Sequence, residues 1–256
     1  DPIVAPIDIK TKGGGLALAG GSGDGAYAQI GHTGPAATSA ELNALIEIDF
    51  CDPADLTLTG GTGLGSFSLI GHGAIGQTGA RGGDITVNGV RNLTLNGANT
   101  GGGGAAMIGH AGDGTKTGLI TITGNADPGD QGAVTLTSGA ADAAFTQIGH
   151  GGHSGSGDVS GPSAVSLTNM TSLALQGGGA NAYSQVGHGG FDYSGALAGD
   201  VSVSTPGNIS LTSGGAAQAY SLIGLGGIDT GSGAMNGNVS VTSTAGTVAL
   251  NSGAAD

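Results

Sequence analysis

The sequence predicts an all-β protein, a parallel β-helix (β-solenoid) of about six coils of about 38 residues with three short strands each. The first observation is a recurring tripeptide. Ile-Gly-His stands at Ile30-Gly31-His32, Ile70-Gly71-His72, Ile108-Gly109-His110 and Ile148-Gly149-His150, then as Val186-Gly187-His188, and ends as Ile223-Gly224-Leu225, at spacings of 40, 38, 40, 38 and 37 residues. The second is a pair of short apolar–polar alternations ahead of each copy, the period-two pattern of a strand with one buried face. The third is composition: 58 glycines, 9% charged residues and 3% aromatics leave little for a core of large side chains. Regular Val, Ile and Leu positions exclude a flexible linker, and irregular glycine spacing excludes collagen. Strands this short bury their apolar face only by stacking on the equivalent strand of the next unit.

The unit from 1 to 41 opens on strand a at Ile7-Asp8-Ile9, continues with strand b at Leu16-Ala17-Leu18 and closes on strand c, ending at Ile30. Unit 42 to 83 repeats this with Ile46-Glu47-Ile48, Leu56-Thr57-Leu58 and Ile70, and unit 84 to 118 with Ile85-Thr86-Val87, Leu93-Thr94-Leu95 and Ile108. In unit 119 to 162 an insert, Gly124 to Gly132, separates Ile120-Thr121-Ile122 from Val134-Thr135-Leu136, and Ile148 follows. Val165-Ser166-Leu167, Leu173-Ala174-Leu175 and Val186 build 163 to 199, and Val201-Ser202-Val203, Ile209-Ser210-Leu211 and Ile223 build 200 to 237. A partial unit, 238 to 256, holds Val239-Ser240-Val241 and Val248-Ala249-Leu250, so residues 1–256 read as one solenoid segment. Gly, Asn and Asp at the corners supply the positive φ of tight bends. The alternative is two coils of about 19 residues per repeat, which would double a rod of roughly 30 Å. The variable segments Thr33–Glu41, Gly73–Gly83, Ala111–Gly118, Gly151–Pro162, Gly189–Gly199 and Gly226–Gly237 are expected to form loops along one edge.

Five Lys and Arg against eighteen Asp and Glu give a net charge of −13, a field that repels phosphate backbones and anionic lipid, so nucleic acid is not expected as a partner. No run of about 18 apolar residues is present to span a bilayer, so membrane insertion is not expected either. Asp1 and Pro2 do not start a secretory signal, which suggests a processed chain or an excerpt. A single cysteine, Cys51, excludes an internal disulfide framework, and the Gly/Ser/Thr/Asn-rich composition points outside the cell.

His32, His72, His110, His150 and His188 share one repeat position, which Leu225 takes in the sixth copy. Imidazoles about 4.8 Å apart invite a metal or a pH response. The swap to Leu225, and the face shared with Ile30, Ile70, Ile108, Ile148, Val186 and Ile223, favour instead an internal or corner ladder with ring nitrogens on backbone groups or each other, and no metal is expected. His153 lies outside the repeat and is expected on an exposed loop. Three residues before each Ile or Val stand Tyr27, Phe67, Phe145, Tyr183 and Tyr220, with Ala105 the exception. Alternation points these aromatics outward, but the surrounding Gly and Ala imply a bend that breaks the parity. Tyr–Phe interchange then favours stacking over ligand contact. Asp24, Asp113, Asn125, Asp127, Asp130, Asp158 and Asp200 recur in loops and leave calcium as the only cofactor to consider, although none fits a known calcium loop. Asp84, Asp158 and Asp200 precede strand a, where Asx residues close turns. Catalysis is not expected: Arg81 and Arg91 are the only arginines, and the carboxylates form no evident pair across coils.

The run Gly199-Asp200-Val201-Ser202-Val203, with Gly207-Asn208-Ile209-Ser210-Leu211-Thr212-Ser213-Gly214-Gly215, resembles the repeats of filamentous-haemagglutinin-like and autotransporter-type bacterial exoproteins, and the likeness covers nearly the whole chain. The resemblance implies a right-handed β-helix, secreted to the bacterial cell surface and used in adhesion, biofilm or fibre formation. Neither end looks capped, so self-association end to end, or flanking repeats of a longer chain, is expected. A glycan-binding module is the rival reading. Ice binding, suggested by Thr57-Leu58-Thr59, Thr121-Ile122-Thr123 and Thr135-Leu136-Thr137, is weakened by Ala17, Ala174 and Ser210 elsewhere on strand b. A polysaccharide-degrading enzyme lacks the clustered acids it needs.

Overall fold

A computed structural model describes residues 2–33, 41–74, 77–231 and 233–253. Most of the expected loop Thr33–Glu41, and Ile75 and Gly76 of the next, lie outside the described residues. The chain is a right-handed parallel β-solenoid of about six turns, with no α-helix among the described residues.

Strand a forms one column: Ile7–Thr11, Ile46–Thr59, Ile85–Asn96, Leu119–Gly124, Ala164–Thr168, Val201–Thr205 and Val239–Ser243. Strand b forms a second, from Leu16–Ala19 through the later halves of Ile46–Thr59 and Ile85–Asn96 to Ala133–Thr137, Ser172–Gln176, Ile209–Thr212 and Val248–Asn251. In the second and third coils the two strands run on as one, which joins both columns into a 12-stranded sheet. Strand c makes a separate six-stranded sheet: Ala28–Ile30, Phe67–Ile70, Ala105–Ile108, Phe145–Ile148, Tyr183–Val186 and Tyr220–Ile223.

Pairing is parallel and joins residues one full repeat apart, so each repeat is one coil and the two-coil alternative is excluded. Ile7 pairs with Ile46, Ile46 with Ile85, Ile85 with Ile120, Ile120 with Val165, Val165 with Val201 and Val201 with Val239. Ile30, Ile70, Ile108, Ile148, Val186 and Ile223 likewise stand in one line. These lines face each other across the interior, where Ile46, Leu56, Ile70, Ile85, Leu95 and Ile108 are wholly buried. The threonines between them, such as Thr86 and Thr121, keep partial contact with solvent. The insert bulges out through a single 3-10 turn, Pro128–Asp130, capped by the Asp127 carboxylate on the Gly129 N–H.

A fourth column, absent from the sequence reading, precedes strand a. Ile3, Leu42, Arg81, Lys116, Val159, Leu197 and Met235 pair in parallel, rung on rung. Asx side chains tie the coils together. Asp24, Asp84, Asp158 and Asp200 accept from the backbone N–H of Leu64, Leu119, Ala196 and Asn238, each in the next coil. Asp84, Asp158 and Asp200, expected to close turns before strand a, thus brace the neighbouring rung.

Candidate functional site

Strand c ends in glycine followed by the histidine position. The backbone N–H of His32 donates to Nδ1 of His72 at 2.9 Å, and His72 to His110, His110 to His150 and His150 to His188 repeat the bond at 3.0 Å. Because Nδ1 accepts, a neutral ring carries its proton on Nε2. The Nε2–H of His32, His72, His110 and His150 donates to the carbonyls of Ala5, Ala44, Gly83 and Gly118 at 2.7–2.9 Å. The rings stack with centroids 4.8–5.2 Å apart. Both nitrogens of His72, His110 and His150 are thus engaged, which leaves no lone pair for a metal ion. Burial holds the pKa of His110 and His188 well below the usual imidazole value and that of His150 at about 4. A nearby Lys116 ammonium adds to the effect at His110 and His150.

Glutamines on strand c satisfy the glycine carbonyls of the following coil. Gln147 Nε2 reaches Gly187 and Gly189 at 3.0 and 3.1 Å, and Gln185 Nε2 reaches Gly224 and Gly226 at 3.3 and 3.1 Å. Each is fully buried, so the amide is a strut between coils.

The aromatic position corrects one expectation: no bend intervenes, and the alternation holds. Ile70 turns inward, as do Ala28 and Ala106, the residues that Ser68 pairs with, while Phe67 and Leu69 line an outer compartment between strand c and the loops that follow it. Within it Tyr27 stacks on Phe67, Phe145 on Tyr183 and Tyr183 on Tyr220, every pair 5.0 Å between centroids. Gly-rich loops cover the later rings. His153, expected to be exposed, is half-buried and stacks against Phe191 at 4.9 Å, with Phe145 at 6.5 Å. In the third coil both ring and cover are missing. Ala105 stands where the ring would be, and the residue three beyond His110 is Asp113, on the shortest of the loops.

This double omission leaves a cavity of about 410 Å³ between Phe67 and Phe145. Leu69, Ala105 and Met107 line it, together with Asp113, Asp142 and His153. His153 Nε2 is buried without a hydrogen-bond partner. Asp142 accepts from Asn181 at 2.9 Å, and Asp113 from Ser156 at 2.9 Å.

Behind Asp113 lie two buried cations of the fourth column. Lys116 Nζ donates to the carbonyls of Gly114 and Ser156 at 2.9 Å and to the Tyr193 hydroxyl at 3.1 Å. Burial lowers its pKa to about 7, against the opposing pull of Asp113. Arg81 donates to Gln77 at 3.4 Å, and burial lowers its pKa too. A signal for this column existed: Arg81 and Lys116 each stand four residues before the first Ile of strand a, as do Leu42 and Leu197 before Ile46 and Val201.

Against the expectation that no carboxylates pair across coils, those of Asp8 in the first coil and Glu47 and Asp49 in the second lie within 4.8 Å of one another, with Lys10 at 3.6 Å from Asp8 and 3.8 Å from Asp49. Cys51 is exposed and free. Among the described residues, no helix is long and apolar enough to cross a membrane. Comparison with protein-family models, curated proteins and solved structures finds no match. The solenoid fold therefore rests on its own geometry.

Proposed function

We propose that this chain is a non-enzymatic structural and adhesive segment of a secreted bacterial cell-surface fibre, in which coils continue from one solenoid unit to the next. The observation that carries this reading is the exposed apolar rung at the last coil. Among the described residues, Val239–Ser243 and Val248–Asn251 pair on one side only, and Val239, Val248 and Leu250 remain 50%, 47% and 76% exposed. Their equivalents in the preceding coils are core residues, so the rung is ready to accept another coil through the same parallel register. The ladders favour such continuation, because each rung satisfies the one before it.

Net charge opposes assembly at long range, but screening confines it to about 8 Å at physiological salt while strand pairing acts at contact. Electron microscopy of the purified chain should show head-to-tail rows, more abundant in high salt. Leu250→Lys places a charge on the exposed rung, and Val248→Pro removes a donor from that edge. Both should reduce the rows to single particles. A parent that stays monomeric at millimolar concentration in every salt condition would contradict self-assembly.

A further inference from the structure

We propose that the gap at Ala105 is a binding site for one flat aromatic ring system bearing a positive charge, held between the faces of Phe67 and Phe145. Phe67 pairs with Ala105, and Ala106 pairs with Thr146, so the two phenyl rings belong to coils on either side of the third. Two inter-strand spacings place them roughly 10 Å apart, twice the 5.0 Å at which neighbouring rings of this column stack. The missing rung is therefore one ring thick, and its walls are the ring faces that offset stacking uses.

Volume sets the size of the occupant. A dry cavity of about 150 Å³ takes benzene, so 410 Å³ holds a larger ring system with a substituent. Chemistry sets its class. The inner edge of a sandwiched ring would meet Leu69, Ala105 and Met107, which offer no hydrogen bond, beside one serine of the same strand wall, Ser68. A sugar would leave hydroxyls unpaired there, whereas an aromatic edge needs no partner. Ser68, Ser154 and His153 also line the cavity, and its carboxylates among the described residues are Asp142 and Asp113. Asp113 also serves the buried Arg81 and Lys116, so Asp142 is the freer counter-ion. His153 Nε2, buried and unpartnered, supplies a further polar contact.

This inference goes beyond the fibre reading, since single particles and rows alike contain the gap. The chain has no Trp, so indole fluorescence reports a ligand without protein background. Tryptamine, indole and indole-3-acetate share a ring and differ in charge. Titration should show saturable binding in the order tryptamine, indole, indole-3-acetate, with roughly tenfold between the charged pair, a difference that Asp142→Asn narrows. Ala105→Phe should restore the ring and abolish binding while the circular dichroism of the solenoid persists. Should that variant fail to fold, Phe145→Leu carries the test by removing one stacking face, with at least a severalfold loss expected. Undiminished binding by folded Ala105→Phe, or by Phe145→Leu, overturns the proposal. So does no binding to the parent at millimolar tryptamine, or displacement of tryptamine by an equal concentration of N-acetylglucosamine, which would make the gap a glycan site.

Discussion

Acidification from pH 7.5 to pH 5 is expected to remove about 2 kcal/mol of stability through buried His150, with buried His110 and His188 adding to the loss in the same direction. His110, His150 and His188 are buried neutral, with folded pKa values depressed below the unfolded value near 6.5. Their contribution is fully present above that value and is lost as pH falls through the window down to the folded pKa, about 4 for His150. Across the roughly 1.5 units between 6.5 and 5, His150 contributes about 2 kcal/mol at about 1.4 kcal/mol per unit. The geometry explains why the rings resist a proton: on His110 it would land on Nδ1, facing the His72 N–H that Nδ1 accepts. Lys116, with its pKa near 7, gains charge over the upper part of this window and repels His110 and His150, while Asp84 opposes it at His150. Urea midpoints at the two pH values measure the effect. His110→Leu should lose about 2–4 kcal/mol at pH 7.5, because the His72 N–H and Gly83 carbonyl lose their partner, yet show a shallower acid dependence. Equal midpoints for the parent at both pH values would rule out a neutral, buried ladder.

Gly109→Ala is expected to cost on the order of 4–5 kcal/mol, among the largest effects of a single methyl group. Gly109 sits at φ +151°, and a Cβ there would lie 1.8 Å from the Gly149 carbonyl oxygen of the next coil. The backbone cannot yield, because the Gly109 N–H donates to Ile70 at 2.8 Å and the following His110 N–H to His150. Gly23→Ala provides the contrast: its Cβ would meet nothing within 4 Å and its φ is not positive, so the change should be neutral or slightly stabilising. Thermal melts of the two variants beside the parent decide the matter, and a Gly109→Ala melt coinciding with Gly23→Ala would refute the tight rung.

The coil period was legible because Ile30-Gly31-His32 and its copies mark one corner of every turn, and because alternations such as Leu56-Thr57-Leu58 state which side faces inward. The aromatics were harder. Their outward parity follows from the same alternation, but the bend belongs to the glycine after Ile70, and Gly and Ala residues ahead of the rings, such as Gly25 and Ala26 before Tyr27, suggested it came earlier. What then covers the rings was not legible, since Gly-rich loops carry no periodicity to show that His153 and Phe191 fold back over the column. Ala105 stood out in the sequence as a break in the pattern, yet a break becomes a cavity only when the loop beside it is also short. The fourth column was missed for a different reason: its rungs are one or two residues long, too short to alternate, and two of its side chains are cations that hydrophobic patterning assigns to the surface.

Neutral imidazoles lock together coils one repeat apart. Nuclear magnetic resonance of the ¹⁵N-labelled chain at neutral pH tests this directly, through the coupling across the hydrogen bond from a histidine amide nitrogen to the Nδ1 of the next histidine. The structure predicts such couplings for His32–His72, His72–His110, His110–His150 and His150–His188, with Nε2 protonated in the rings of His72, His110 and His150. Rings that exchange tautomers freely, titrate together near 6.5 and show no coupling to a neighbouring repeat would contradict it.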